Sequence, residues 1–183
     1  MDRATANNTA VFLDRDGVLN ELVLRDGMAV SPRRVEDFRL SDGAMQAVQR
    51  LREVGLLVFV VSNQPDIARG QLTQEDLSQM SRILEDIVGI NEVVVCPHDD
   101  ADGCVCRKPK PGMLYGLAER WDVDLQKSFV VGDSWKDIEA GRRAGCRTVF
   151  LDRGRGRSAD ADWTVVTLGD AVQVIVSGCG LGG

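Results

Sequence analysis

Two carboxylates, one residue apart, close an apolar run near the start of the chain, Val11-Phe12-Leu13-Asp14-Arg15-Asp16-Gly17-Val18. Side chains of an extended chain alternate faces, so Asp14 and Asp16 share one side of a strand end. Carboxylates this close raise each other's pKa unless a cation lies beside them, and Mg²⁺ is the usual hard cation where carboxylates work on phosphate. A strand followed by an Asp-Gly turn is the ordinary alternative. This stretch alone does not choose between the two. Other polar groups follow later apolar runs: Ser62-Asn63 after 56–61, Arg107-Lys108 after 92–95, and Asp133 with Asp137 after 128–131. Singly, each has an ordinary explanation as a turn, solvated charge or a helix N-cap. Together they supply carboxylates for a metal, a nucleophile and donors for phosphate oxygens, which are the parts of phosphoryl transfer.

A second cluster reads Cys96-Pro97-His98 followed by Cys104-Val105-Cys106, with His98 the only histidine in the chain. Three thiolates and one imidazole at C-x-H-x5-C-x-C spacing suit a closed, tetrahedral, structural Zn²⁺ site. Chance reduced thiols or a redox pair are the alternatives, although a redox pair more often reads C-x-x-C. A zinc ion here would staple the loop that carries Arg107 and Lys108 and would not activate water. Cys146, between Gly145 and an apolar run, reads as a small buried residue, and Cys179 falls in the C-terminal tail.

The elements that must position these groups alternate. Strands are expected at 9–13, 56–61, 92–95, 128–131 and 147–151, with a short edge strand at 163–166. Between them, Ala44, Ala47, Val48 and Leu51 recur at helical spacing and Gly55 closes that helix. Thr73 opens a helix whose buried face is Leu77, Met80, Leu84, Ile87 and Val88. Pro111 begins another, Trp135 to Ala144 a fourth ended by Gly145, and 169–176 a last one. Residues 17–42 read as a long irregular connection with turn signals at Asp26-Gly27 and Ser31-Pro32, and 153–160 as a Gly/Arg-rich loop. Strand–helix alternation predicts an α/β fold, a Rossmann-like and mainly parallel sheet sandwiched by helices. In such sheets ligands bind beyond the carboxyl ends of the strands, where every polar cluster named above falls. One domain is expected over 9–176, with flexible tails at 1–8 and 177–183.

Composition narrows the partners. The 183 residues carry a net charge of −6, with 44% hydrophobic and 27% charged residues. An acidic chain disfavours nucleic acid and anionic membranes, which need basic surface. Its apolar runs fall short of a membrane span, and the polar first nine residues lack the apolar core of a signal peptide. A cytoplasmic location is expected, where thiols stay reduced and the five cysteines need a purpose other than disulfides.

FLDRDGVLN at 12–20, SNQ at 62–64, RKPKPGM at 107–113 and GDSWKD at 132–137 resemble, in order and across most of the chain, the haloacid dehalogenase superfamily of phosphatases. The Cys/His loop makes the chain similar to that superfamily's small, nearly capless branch, which holds the D-glycero-D-manno-heptose 1,7-bisphosphate and histidinol-phosphate phosphatases. The resemblance implies Mg²⁺- and Zn²⁺-containing catalysis on a small phosphorylated substrate by a monomer. It implies Asp14 as nucleophile and metal ligand, and Asp16 as general acid and then base, ligating Mg²⁺ through its backbone carbonyl. Asp133 would complete the metal site, Ser62 and Lys108 would bind the transferring phosphoryl group, and Asn63 and Arg107 would contact phosphate or substrate. Asp137 would be an outer-shell metal residue or a first-turn acid. Zinc ligands would be Cys96, His98, Cys104 and Cys106. Pro65-Asp66 departs from the Ser-Gly common in the family. Heptose bisphosphate is the favoured substrate and histidinol phosphate the alternative, for which Asp99, Asp100 and Asp102 would face an amine. A binding protein with a dead site is opposed by the presence of Asp14, Asp16, Ser62, Lys108 and Asp133.

Overall fold

The computed structural model describes residues 8–154 and 159–180. In chain order the first elements are β1 (Ala10–Leu13), β2 (Val23–Arg25), β3 (Met28–Val30), α1 (Ala44–Glu53), β4 (Leu57–Asn63) and α2 (Gln74–Arg82). There follow β5 (Glu92–Cys96), α3 (Gly112–Trp121), β6 (Phe129–Gly132), α4 (Trp135–Ala144), β7 (Arg147–Leu151), β8 (Trp163–Val165) and α5 (Leu168–Gly178). Six strands form one sheet in the order β5-β4-β1-β6-β7-β8, and each adjacent pair is parallel. This is the expected Rossmann-like α/β architecture.

The alternation along the strands builds two cores. Val11, Leu13, Val58, Val60, Val131 and Val149 face α1, α2 and α5, while Ala10, Phe12, Phe59, Val61 and Val130 face α3 and α4. Burial on both faces explains the uniformly apolar runs in the sequence. From β1 the chain moves outward through β4 to β5 and then crosses back to β6, on the other side of β1, before moving outward again to β7 and β8. A crevice opens at the carboxyl ends of strands where the order reverses in this way. Asp14, Ser62, Asn63 and Asp133 all stand at that end.

The structure departs from the sequence expectations in five places. Residues 17–42 are not irregular throughout. They contain the antiparallel β2–β3 hairpin, whose turn residues Asp26 and Gly27 have φ of 50° and 75°. That pair of positive φ values matches the twist of a two-residue hairpin and favours an Asp-Gly sequence. The Thr73-capped helix widens into a π-turn over Ile83–Val88 and stops at Gly89. A π-turn inserts a residue into the spiral, so Leu84 and Val88 stay buried but Ile87 is turned out to 60% exposure. Asn8, expected in a tail, is bridged to Val123 and its side chain donates to the Trp121 carbonyl at 2.7 Å. The last helix runs on to Gly178, and Cys179 caps it and packs against the core. The helix after β6 is capped by Ser134 rather than Asp133: Ser134 Oγ accepts from the Lys136 N–H and Asp137 Oδ2 accepts from the Ser134 N–H. Residues 1–7 and 181–183 of the expected tails, and 155–158 of the Gly/Arg loop, lie outside the described residues.

Candidate active site

Lys108 is the hub of the crevice. Its side chain is buried, and Nζ donates to Asp14 Oδ1 at 2.7 Å, to the Val61 carbonyl at 2.7 Å and to Asp137 Oδ1 at 2.5 Å. Its backbone is gripped from β4: the Lys108 N–H donates to Asn63 Oδ1 at 3.0 Å and Asn63 Nδ2 donates to the Lys108 carbonyl at 3.1 Å. Burial opposes the charge on Lys108, but Asp137 and Asp14 outweigh it and hold the ammonium well above the ordinary lysine range.

The carboxylates of Asp14, Asp133 and Asp137 lie within 4.8 Å of one another. Two glycines make room for them. Gly17, at φ 86°, would place a Cβ against Asp133 Oδ2, and a Cβ on Gly132 would collide with Asp137. Burial pushes Asp14 up to about 7, with Asp137 adding to the rise and Lys108 opposing it. Burial raises Asp137 as well. One lysine thus leaves net negative charge among three hard oxygen donors, the donor set that suits a small divalent cation.

Asp16 points elsewhere. Oδ1 accepts from Arg15 Nε at 3.1 Å and Asn20 Nδ2 at 3.0 Å, and Oδ2 accepts from Gln64 Nε2 at 2.7 Å and Arg15 Nη2 at 3.0 Å. Burial pushes its pKa up, but the Arg15 guanidinium and the Asn20 and Gln64 hydrogen bonds prevail and hold the carboxyl below its usual range. Its side chain is not part of the three-carboxylate group.

The crevice has a volume of about 430 Å³ and includes Asp14, Asp16, Ser62, Lys108 and Asp133 in its lining. Around its rim, charges link three loops. Arg33 pairs with Asp66 at 2.6 Å, and Arg69 reaches both Asp66 at 3.4 Å and Asp99 at 2.6 Å. Asp66, the departure noted in the sequence, is therefore the link between the residues after the hairpin and the loop after β4. Arg107 donates to Asp100 Oδ1 at 2.7 Å and to the His98 carbonyl at 3.1 Å.

Cys96, His98, Cys104 and Cys106 converge as well. Their Sγ–Sγ separations are 3.2, 3.5 and 3.6 Å, and His98 Nδ1 lies 3.5 Å from Cys96 Sγ and 3.3 Å from Cys106 Sγ. A zinc tetrahedron with metal–sulfur bonds of about 2.3 Å has edges of about 3.7 Å, so these four donors fit a closed metal site. The thiols divide: burial raises the Cys104 thiol, but hydrogen bonds from the Arg107 and Cys106 backbone and the neighbouring thiols bring it down to about 7, whereas burial pushes Cys96 up to about 12 and raises Cys106, so a metal bound here would displace their protons.

Asp14, Ser62, Lys108, Asp133 and Asp137 are brought together at one end of the sheet. Asn63 and Arg107 line the crevice, but the Asn63 amide is committed to the Lys108 backbone and the Arg107 guanidinium to the Cys/His loop. Sequence reasoning passed over Arg15, Asn20 and Gln64. Arg15 stands between the two acids, and strand alternation would aim it away from them. The chain instead turns after Asp14, and the carbonyl of Arg15 accepts from the Leu19 and Asn20 N–H groups, bringing the Arg15 and Asn20 side chains to Asp16, while Gln64 reaches it from the end of β4. For Gln64 the available signal was its place one residue beyond β4.

A buried lysine amid carboxylates, with a hydroxyl alongside at the switch point of a parallel sheet, defines a phosphate-handling hydrolase of the α/β class. Residues 105–171 match the family model described as HAD-hyrolase-like. The chain is 38% identical over 152 residues to the D-glycero-beta-D-manno-heptose-1,7-bisphosphate 7-phosphatase of Bordetella bronchiseptica, covering 80% of this chain and 82% of that one. With the protein of the same description from Pseudomonas aeruginosa it shares 37% identity, covering 82% and 84%. The crystal structure of D,D-heptose 1,7-bisphosphate phosphatase from B. bronchiseptica, complexed with magnesium and phosphate, superposes with a TM-score of 0.80 at 28% identity, covering 92% of this chain and 98% of that one. The chain belongs to the HAD-like phosphatase family.

Proposed function

We propose that this phosphatase removes the 7-phosphate of D-glycero-D-manno-heptose 1,7-bisphosphate through an aspartyl-phosphate intermediate on Asp14. The observation that carries the chemistry is the convergence on Lys108 of Asp14 and Asp137 beside Asp133. Lys108 occupies Asp14 Oδ1, so Oδ2 is the oxygen free to attack phosphorus. The bond from Oδ2 to phosphorus forms as the bond from phosphorus to the sugar oxygen breaks, and Asp16 gives its proton to that departing oxygen. Asp16, now ionised, takes a proton from water, the hydroxide attacks phosphorus, and inorganic phosphate leaves with Asp14 restored. Asp16 is ionised in the resting site, and negative charge arriving on the substrate favours its protonation. Ser62 Oγ–H donates to a phosphoryl oxygen, and the Lys108 charge offsets the phosphate's; a direct bond from Nζ would replace one of its three bonds to Asp14, Val61 and Asp137.

Asp14 and Asp133, with the Asp16 backbone carbonyl, would hold Mg²⁺, which when bound offsets the charge between nucleophile and phosphate. The four Cys/His donors would hold structural Zn²⁺ and so fix the loop leading to Lys108. The magnesium-complexed relative supports the first assignment, and the donor geometry supports the second. Five unbridged cysteines favour a reducing compartment such as the cytoplasm.

The substrate reading rests on the heptose-named relatives and on the rim. Arg33, Arg69, Arg107 and Lys136 line the crevice; the three arginines are held by Asp66, Asp99 and Asp100, which leaves Lys136 as the rim cation through which a second anionic group of the ester would be met. The histidinol-phosphate alternative asked for free acids at 99–102. Asp99 is instead held by both Arg69 Nε and Nη2, Asp100 by Arg107, and Asp102 caps the Asp99 N–H, which disfavours it. A panel of both heptose bisphosphate anomers, histidinol phosphate and common sugar phosphates tests the assignment through kcat/KM. Heptose bisphosphate is expected to lead, and a higher value for histidinol phosphate would overturn the reading.

A further inference from the structure

We propose that Gln64 is a positioning residue that aligns the proton-transferring carboxylate of Asp16 with the phosphate-binding hydroxyl of Ser62. The inference rests on the roles assigned above to those two residues.

Gln64 is 1% exposed, and its side-chain Nε2 donates to both functional groups, to Asp16 Oδ2 at 2.7 Å and to Ser62 Oγ at 2.8 Å. An amide nitrogen has two hydrogens, and both are used. The opposite orientation would aim the amide oxygen at a carboxylate, so the network itself dictates which end faces inward. Two consequences follow for the chemistry. Ser62 Oγ accepts from Gln64, so its own hydrogen is directed to another acceptor, the outward-facing side where phosphoryl oxygens would lie. Asp16 Oδ2 is held by the neutral amide from one side and by the Arg15 guanidinium from the other, while Oδ1 is taken by Arg15 Nε and Asn20. The carboxylate is therefore fixed at both oxygens, and its distance to the Ser62 hydroxyl is set through one intervening nitrogen. Gln64 is itself immobile: its backbone N–H donates to the Cys96 carbonyl at 2.7 Å, and its carbonyl accepts from the Ile67 N–H at 3.2 Å. The anchor at Cys96 also ties this alignment to the first donor of the Cys/His cluster.

A residue that aligns a general acid matters most when the leaving oxygen needs a proton. Gln64→Met keeps the volume and removes both donors. Its kcat/KM toward a sugar phosphate, an alkyl ester, is expected to fall roughly 10- to 100-fold. Toward p-nitrophenyl phosphate, whose leaving group departs without a proton, the loss is expected to be several-fold smaller. Gln64→Leu, which likewise has no donor and does not overfill the site, is expected to show the same dependence on leaving group and covers the case in which the methionine variant does not fold. Equal losses on the two esters in a folded variant, or no loss on either, would overturn the proposal. Asp16→Asn measured alongside separates this inference from the assignment beneath it: an Asp16 variant that loses equally on both esters removes the general-acid role itself. Circular dichroism of each variant accompanies the kinetics.

Discussion

Asp14 is kept where its charge is opposed, and this fixes what its replacement does. Asp14→Asn replaces the proposed nucleophile, and phosphatase activity is expected to vanish; full turnover in the variant would remove Asp14 from the role. The same substitution is expected to raise the melting temperature of the metal-free protein at pH 8 by a few degrees, because a buried carboxylate crowded by Asp137 is replaced by a neutral amide that still accepts from Lys108. Gly17 gives a second residue-scale expectation. At φ 86° and against Asp133 Oδ2, Gly17→Ala is expected to cost on the order of 1–2 kcal/mol of stability. It should also weaken Mg²⁺ binding, measured by calorimetry, by displacing a carboxylate.

At the scale of elements, two devices carry the site. The first is the start of α4, where Asp137 serves the helix and the site at once: Oδ2 caps the Ser134 N–H and Oδ1 holds Lys108. The second is the loop from β5 to α3, whose Cys/His cluster immediately precedes Arg107 and Lys108 in the chain. About one zinc per chain is expected in purified protein, and metal analysis finding none in protein kept reduced would discard the structural site. Removing the metal, or Cys104→Ser, is expected to expose residues 97–107 to limited proteolysis and to lower kcat, while the far-ultraviolet dichroism of the six-stranded sheet and its helices is largely kept.

For the whole molecule, the site opposes stability in a pH-dependent way. Asp14 holds its proton up to about 7 in the folded chain against an ordinary value of 3.8. Between those values the folded state binds more protons than the unfolded one, so this group's contribution to stability falls as pH rises through that window. Asp16 has the opposite sign, since its lowered pKa adds stability that is lost only in acid. The melting difference between Asp14→Asn and the unchanged, metal-free protein is thus expected to widen from pH 5 to pH 8; a constant difference would contradict it. Chelating Mg²⁺ is expected to stop catalysis without unfolding the chain, because the two cores on either face of the sheet do not include the carboxylates. Among the described residues, no helix is long and apolar enough to cross a membrane.

The amino-acid sequence pointed to a parallel sheet, since runs such as 57–61 are apolar at every position, as strands covered on both faces are. It also determined which groups gather at one end: each polar cluster sits at or soon after a strand's carboxyl end, and parallel strands put those ends together. Local chemistry was legible too, in Gly55 and Gly145 as helix stops, Asp26-Gly27 as a turn and the spacing of the Cys/His donors. Which group pairs with which was settled by contacts made on folding. Asn63 and Lys108 are 45 positions apart in the chain, and no spacing rule pairs a side-chain amide with so distant a backbone. Arg15 folds back onto Asp16 because the chain turns after Asp14, which strand alternation does not anticipate. The ion pairs of Asp66 with Arg33 and of Asp99 with Arg69 likewise join segments distant in sequence. Residue types and periodicity specify the parts and the end of the sheet where they meet, while hydrogen bonds across the folded crevice specify which atom faces which.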